Sequence, residues 1–244
     1  MFNRAKDHIS EFERKVNAYI GSKPGTYTVE TDIDRVHKLH KIKLTRPPEV
    51  LANIVFDAAN NLRATLDQAG YAAAVAAKSS FLKATKFPFA PDAGHFANNL
   101  AGGCKDLPPE IRTLFGSFNS YKGGNDTLWA MNELCNTSKH LSLVPVALKR
   151  GAMSWGKIHY TSVAATGLPD IKWDPDKHEI VFDRSDPMTI VHFDIDKNFK
   201  ISVAIESIDV IRDEPAVGVL LDMASIVENI LMATEAECRR MGLI

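Results

Sequence analysis

The hydrophobic period of this chain changes near residue 150, and no other feature narrows its possible folds as much. From Val50 to about Lys78, the residues Leu51, Ile54, Val55, Ala58, Leu62, Leu66, Ala69 and Ala73 fall on one face at about 100° per residue. That is the stripe of an amphipathic helix. After Gly151 the period falls to two. The stretches "WGKIHYTSV", "DIKWD", "HEIVFDR", "MTIVHFDI" and "FKISVAIES" read as successive short strands. Val191, Phe193 and Ile195 alternate against Ile201, Val203 and Ile205, with "DKN" between them as a turn, which predicts a hairpin. Helical pattern followed by strand pattern gives an α+β fold, not an alternating α/β one.

Local signals fill in the remaining elements. Ala5, Ile9, Phe12, Val16 and Tyr19 recur at helical spacing until "GSKPG" stops them. Tyr27, Val29, Ile33, Ile42 and Leu44 predict a β-hairpin near residues 26–45. "RPPEV" opens the long helix, a short helix follows near residues 92–100, and "LPPEIRTLF" opens another. Asn125 or Asp126 suits the cap of a further helix, which Pro145 should end or kink. The last helix starts at "DEP", turns Val217, Leu220, Leu221, Ala224, Val227 and Leu231 inward, and ends at Arg239, Arg240 and Gly242. Without repeat or linker, the expectation is a single domain over residues 1–244. Residues 1–150 are mainly helical, 151–212 form antiparallel strands packed on that helical core, and the helix at 214–242 closes the structure.

Composition excludes more than it assigns. A chain of 244 residues can bury a sizeable core. A formal net charge of -1 supplies no global attraction to nucleic acid or anionic membranes. Three dispersed cysteines suggest neither a disulfide framework nor a cysteine-based zinc site, and a reducing cytoplasm suits them. The charged N-terminus lacks the apolar stretch of a signal peptide, and "QAGYAAAVAA" is too short to span a bilayer, so no membrane partner is expected. No phosphate-cradling glycine motif, HExxH or nucleophile elbow is present, and no cofactor is implied. "WDPDKHE" gathers Asp174, Asp176, His178 and Glu179 but lacks full calcium-loop spacing, so no metal is expected. Cys104 sits beside Lys105 in "AGGCKD", either as a reactive thiol or as an ordinary loop cysteine. Arg35, Lys38, Lys41, Lys43 and Arg46 form the one acid-free basic run, a route to RNA; the ordinary alternative is an edge strand guarded by lysines.

Two helices carry an unusual polar face. On a wheel, Asn132, Glu133, Asn136, Lys139 and His140 fall within about 120° of arc, with Asn132, Asn136 and His140 at four-residue spacing. Open helix faces favour Lys and Glu over asparagine, a poor helix former. The long helix carries Asn53, Asp57, Asn60, Arg63 and Asp67 opposite its apolar stripe, with few charges for a wet face. The two faces complement each other. Asn60, Asn61, Arg63 and Asp67 would then meet Asn132, Glu133, Asn136, Lys139 and His140, in a structural network or a ligand-binding cleft. Arg63 is expected to bridge toward Asn136 or Glu133, while Asp67 or Asp57 engages Lys139 or His140.

"NNLRATLDQ", "FPF", "LPPE" and "YKGGNDTLWAMNELCNTSKH" together resemble a widespread family of uncharacterised bacterial proteins over roughly residues 1–150. The family's marks are an Asn-Leu-Arg-x-x-Leu-Asp helix and an Asn-x-x-Lys-His helix, and no activity comes with them. A fainter likeness is to the HEPN helical ribonucleases, whose helix bears an arginine followed several residues later by a histidine. This chain departs from that pattern: Lys139 adjoins His140, and Arg63 lies on another helix. Two functions follow as expectations. One is a binding or interaction module that grips a small ligand or a protein partner at the polar helix pair. The other is a metal-independent ribonuclease using His140 as acid/base, Lys139 to steady an anion, and Arg63.

Overall fold

The computed structural model describes residues 1–137, 142–147, 158–161, 172–174, 177–185, 190–193, 201–212 and 214–244. Its contacts fall into two compact units. The helical unit takes Met1–Arg14, Glu49–Ser142 and Ile205–Ile244; the strand unit takes Lys15–Pro48 and Leu143–Ala204. The mixed α+β class and the closing C-terminal helix are as the two periods predict.

Six helices occur among the described residues: α1 (Phe2–Gly21), α2 (Val50–Ala76), α3 (Ala93–Gly102), α4 (Pro109–Ser117), α5 (Asp126–Asn136) and α6 (Ala216–Arg240). The stripe of α2 is buried at Leu51, Ile54, Val55, Ala58, Leu62, Leu66 and Ala73. It meets α5 and α6, and α6 also packs on α4 and α5. Phe87 ties the core together, with its ring 4.9 Å from Phe115 and 5.1 Å from Phe89 between centroids. By length and composition α6 is also apolar enough to cross a membrane. Leu220, Met223, Val227 and Ile230 turn inward, whereas Leu221, expected inside, is exposed.

The described strands are β1 (Gly25–Thr31), β2 (Lys38–Leu44), β3 (Leu143–Ala147), β4 (Ile158–Thr161), β5 (Lys172–Asp174), β6 (Glu179–Ser185), β7 (Ile190–Phe193) and β8 (Ile201–Ile205). The largest sheet runs β1-β2-β6-β5 with antiparallel pairs throughout. Among the described residues β7 pairs with β4 and β8 with β3, in place of the predicted β7–β8 hairpin. Period-two alternation fixes which face a residue occupies, not which strand lies beside it. All five β8 residues are buried, unlike the alternation of a strand with one face in water. The basic strand β2 lies between β1 and β6, which corrects the edge-strand alternative.

Candidate functional site

The site is built from α2 upward. Phe56, Asn60, Arg63 and Asp67 lie one above another on α2, at spacings of three and four, and all are half-buried. Three residues of this helix engage the chain segment that follows it. The Arg63 guanidinium lies 5.5 Å above the Phe89 ring. Asp67 Oδ1 accepts the Phe87 N–H at 2.9 Å. Gly70 admits Thr85, since a Cβ there would stand 2.2 Å from the Thr85 carbonyl oxygen. Positions 63, 67 and 70 thus receive residues 89, 87 and 85 in turn, and this is why "NNLRATLDQ" and "FPF" occupy one place in the fold. Sequence reasoning missed this pairing because it assigned Arg63 and Asp67 only to helix partners. The signal was there in Gly70, a glycine inside a strong helical pattern.

On α5, Asn125 caps the helix by accepting the Leu128 N–H at 3.1 Å. Trp129, Asn132, Glu133 and Asn136 share a face, and Arg63 Nη1 donates to Asn136 Oδ1 at 3.2 Å. The expected bridge from Arg63 to Asn136 is therefore present. Asn132 is only 8% exposed. Its Nδ2 approaches Glu133 Oε1 at 3.5 Å, while its Oδ1 has no hydrogen-bond partner among the described residues. The Trp129 Nε1–H is likewise buried and unpartnered among them. Lys122 lies 4.9 Å over the Trp129 ring and pairs with Asp209 at 2.6 Å. Burial pushes the Cys135 thiol up to about 11, with Arg63 beside it pulling the other way.

Other expected members stand elsewhere. Asn60 Nδ2 donates to the Phe56 carbonyl at 3.0 Å and Asn61 Nδ2 to the Asp57 carbonyl at 2.7 Å, so both amides bond back to their own helix and not to α5. One Asp67 oxygen accepts from Phe87 and Asp57 is exposed, while the bases expected to meet them, Lys139 and His140, lie outside the described residues. The single helix expected to run on toward Pro145 ends at Asn136, where Thr137 caps it, and β3 begins at Leu143. The valine-rich "LVPVA" prefers a strand. Of the expected ladder, Asn132 and Asn136 lie on α5, and Lys139 and His140 lie outside the described residues.

The basic hairpin also differs from expectation at one position. A register shift between His40 and Lys41 turns both residues inward, and Lys41 is 6% exposed. Its ammonium pairs with Glu30 at 2.5 Å and Glu179 at 3.3 Å, which withdraws Lys41 from the set of cations open to phosphate. Arg35, Lys38, Lys43 and Arg46 stay exposed. Cys104 is not a loop thiol open to solvent: it is fully buried, donates to the Lys86 carbonyl at 3.1 Å, and burial pushes it up to about 11. Asp174 and Glu179 flank the β5–β6 turn while Asp176 lies outside the described residues, and no metal-holding group of three His, Cys, Asp or Glu occurs among the described residues.

Compared with known proteins, the chain matches no family model, no curated protein and no solved structure.

Proposed function

We propose that the seam between α2 and α5 binds a small monoanionic ligand, with Arg63 holding the anion, and that the protein acts as a binding module. The state of one guanidinium carries this reading. Arg63 is half-buried and fixed in place by Asn136 and the Phe89 face, and its partners among the described residues are neutral: an amide, a thiol and a ring. A guanidinium offers five donors in a rigid fork, and a partly desolvated one favours a carboxylate that answers two of them. Arg63 also lies at the C-terminal end of α5, whose dipole supplies roughly half a negative charge. With the α5 C-terminus, Asp67 and Glu133 all adding negative charge nearby, this lone guanidinium suits one carboxylate better than a dianionic phosphate.

Titration of the protein with acetate and with inorganic phosphate, followed by 1H–15N spectra, tests this. Acetate should shift the Asn136 side-chain amide saturably, phosphate more weakly. Arg63→Gln, which can still donate to Asn136, should remove the acetate response. An equal response in the variant would show that Arg63 holds no anion.

A further inference from the structure

Resting on that reading of Arg63, we infer that the ligand is the carboxy-terminal end of a peptide, its carboxylate held at Arg63 and a backbone amide read by Trp129 and Asn132. Two buried atoms of opposite character motivate this. The Trp129 Nε1–H only donates and Asn132 Oδ1 only accepts, and neither has a partner among the described residues. They stand three residues apart on the α5 face that Asn136 turns toward Arg63. A secondary amide presents the complement, a carbonyl for the indole and an N–H for the asparagine. The orientation of the Asn132 amide is fixed by chemistry: its NH2 faces the Glu133 carboxylate at 3.5 Å, where its oxygen would be repelled.

The spacing agrees. At about 1.5 Å of rise per residue, Asn132 lies about 6 Å and Trp129 about 10 Å from Asn136 along α5. An extended chain advances about 3.3 Å per residue, so amides within two or three residues of a terminal carboxylate fall in this range. One guanidinium suits one carboxylate, and the remaining contacts are those of peptide backbone. Phe89 and Trp129 add aromatic surface at either end.

Three probes separate the parts: acetate (anion alone), N-acetylglycylglycinamide (amides alone) and N-acetylglycylglycine (both). The Trp129 indole N–H resonance, assigned by its loss in Trp129→Phe, reports directly. N-acetylglycylglycine should bind at least about tenfold more tightly than acetate, given two added hydrogen bonds, and should move that resonance downfield. The neutral amide should bind more weakly than N-acetylglycylglycine. Trp129→Phe and Asn132→Leu should each bring N-acetylglycylglycine toward the affinity of acetate while acetate binding persists. Each also deletes an unpaired buried group, so the thermal midpoint without ligand should hold or rise; a purely structural role would lower it. The inference fails if N-acetylglycylglycine binds no more tightly than acetate, or if both variants keep its advantage. Acetate binding that still depends on Arg63 would then leave the anion site standing, whereas acetate binding indifferent to Arg63→Gln would overturn both.

Discussion

Lys41 and Arg63 are both cations taken partly out of water, and their surroundings set different consequences for losing them. Lys41 neutralises Glu179, whose side chain is 6% exposed, so Lys41→Met leaves that buried carboxylate with the more distant Lys43, 3.9 Å away, as its cation partner among the described residues. A fully uncompensated charge would cost about 3–5 kcal/mol, and this loss approaches the lower end of that range. Arg63 has an amide, a thiol and a ring as partners, and the buried ion pair expected from sequence is absent among the described residues. Arg63→Ala should therefore cost only about 1–2 kcal/mol, the sum of one hydrogen bond and one cation–π contact. Urea unfolding of the two variants beside the parent measures both, and the expected order is Lys41→Met well below Arg63→Ala. Tyr19 makes a third prediction at this scale. Burial pushes its phenol up to about 12 while it donates to the Thr45 carbonyl at 2.5 Å. An unfolded tyrosine titrates near 10, so between these values the folded state keeps a proton that the unfolded chain has released. Stability present below about pH 10 is therefore lost as pH rises through the folded value. Tyr19→Phe should show a shallower fall in unfolding free energy across that window than the parent, measured by urea titration at several alkaline pH values.

At the scale of elements, two helix glycines give opposite expectations for one substitution. Gly218 in α6 has nothing within 4 Å of the position a Cβ would take, so Gly218→Ala should stabilise by about 0.5–1 kcal/mol through backbone entropy. Gly70 in α2 faces the Thr85 carbonyl and the Phe115 ring, and backbone cannot step aside cheaply. Gly70→Ala should destabilise by about 2–3 kcal/mol despite the same propensity gain. Thermal midpoints moving in opposite directions would confirm the close approach of residues 85–89 to α2. That approach also marks the limit of what sequence could show. The α2 stripe, a cap at Asn125 or Asp126 and the five strands described after residue 151 were legible, because periodicity and capping are local properties. The pairing of β7 with β4, the strand β3 after α5, and the backward bonds of Asn60 and Asn61 were not. Partner choice in a sheet is long-range, Pro145 reads equally as a helix stop or a strand residue, and a helical asparagine chooses between its own carbonyl and a neighbour only once the neighbour is placed. Of the site, Arg63 with Asn136 was foreseen from complementarity, while Phe89 was not.

For the whole molecule, near-balance of charge limits what a polyanion can gain. Lys41 is committed to carboxylates, leaving four exposed cations in the β1–β2 region, Arg35, Lys38, Lys43 and Arg46. If those four alone met single-stranded RNA, the slope of log affinity against log salt would be no steeper than about -3. Fluorescence anisotropy with polyuridylate across salt concentrations should give a slope at or above that value, weakened further by Lys38→Gln. The order of segments in the helical unit has a separate bearing on synthesis. Its core is assembled from three stretches of chain, the last of them carrying α6, and α6 covers part of the apolar stripe of α2. On a ribosome α2 emerges first, and its cover is completed roughly 160 residues later. At about 5–20 residues per second, that stripe waits on the order of 10–30 s without its final cover. The nascent chain therefore presents a long adhesive helix to its surroundings for most of its translation, and slow codons or a truncated message upstream of residue 216 should raise its demand for chaperones more than any substitution on the finished surface.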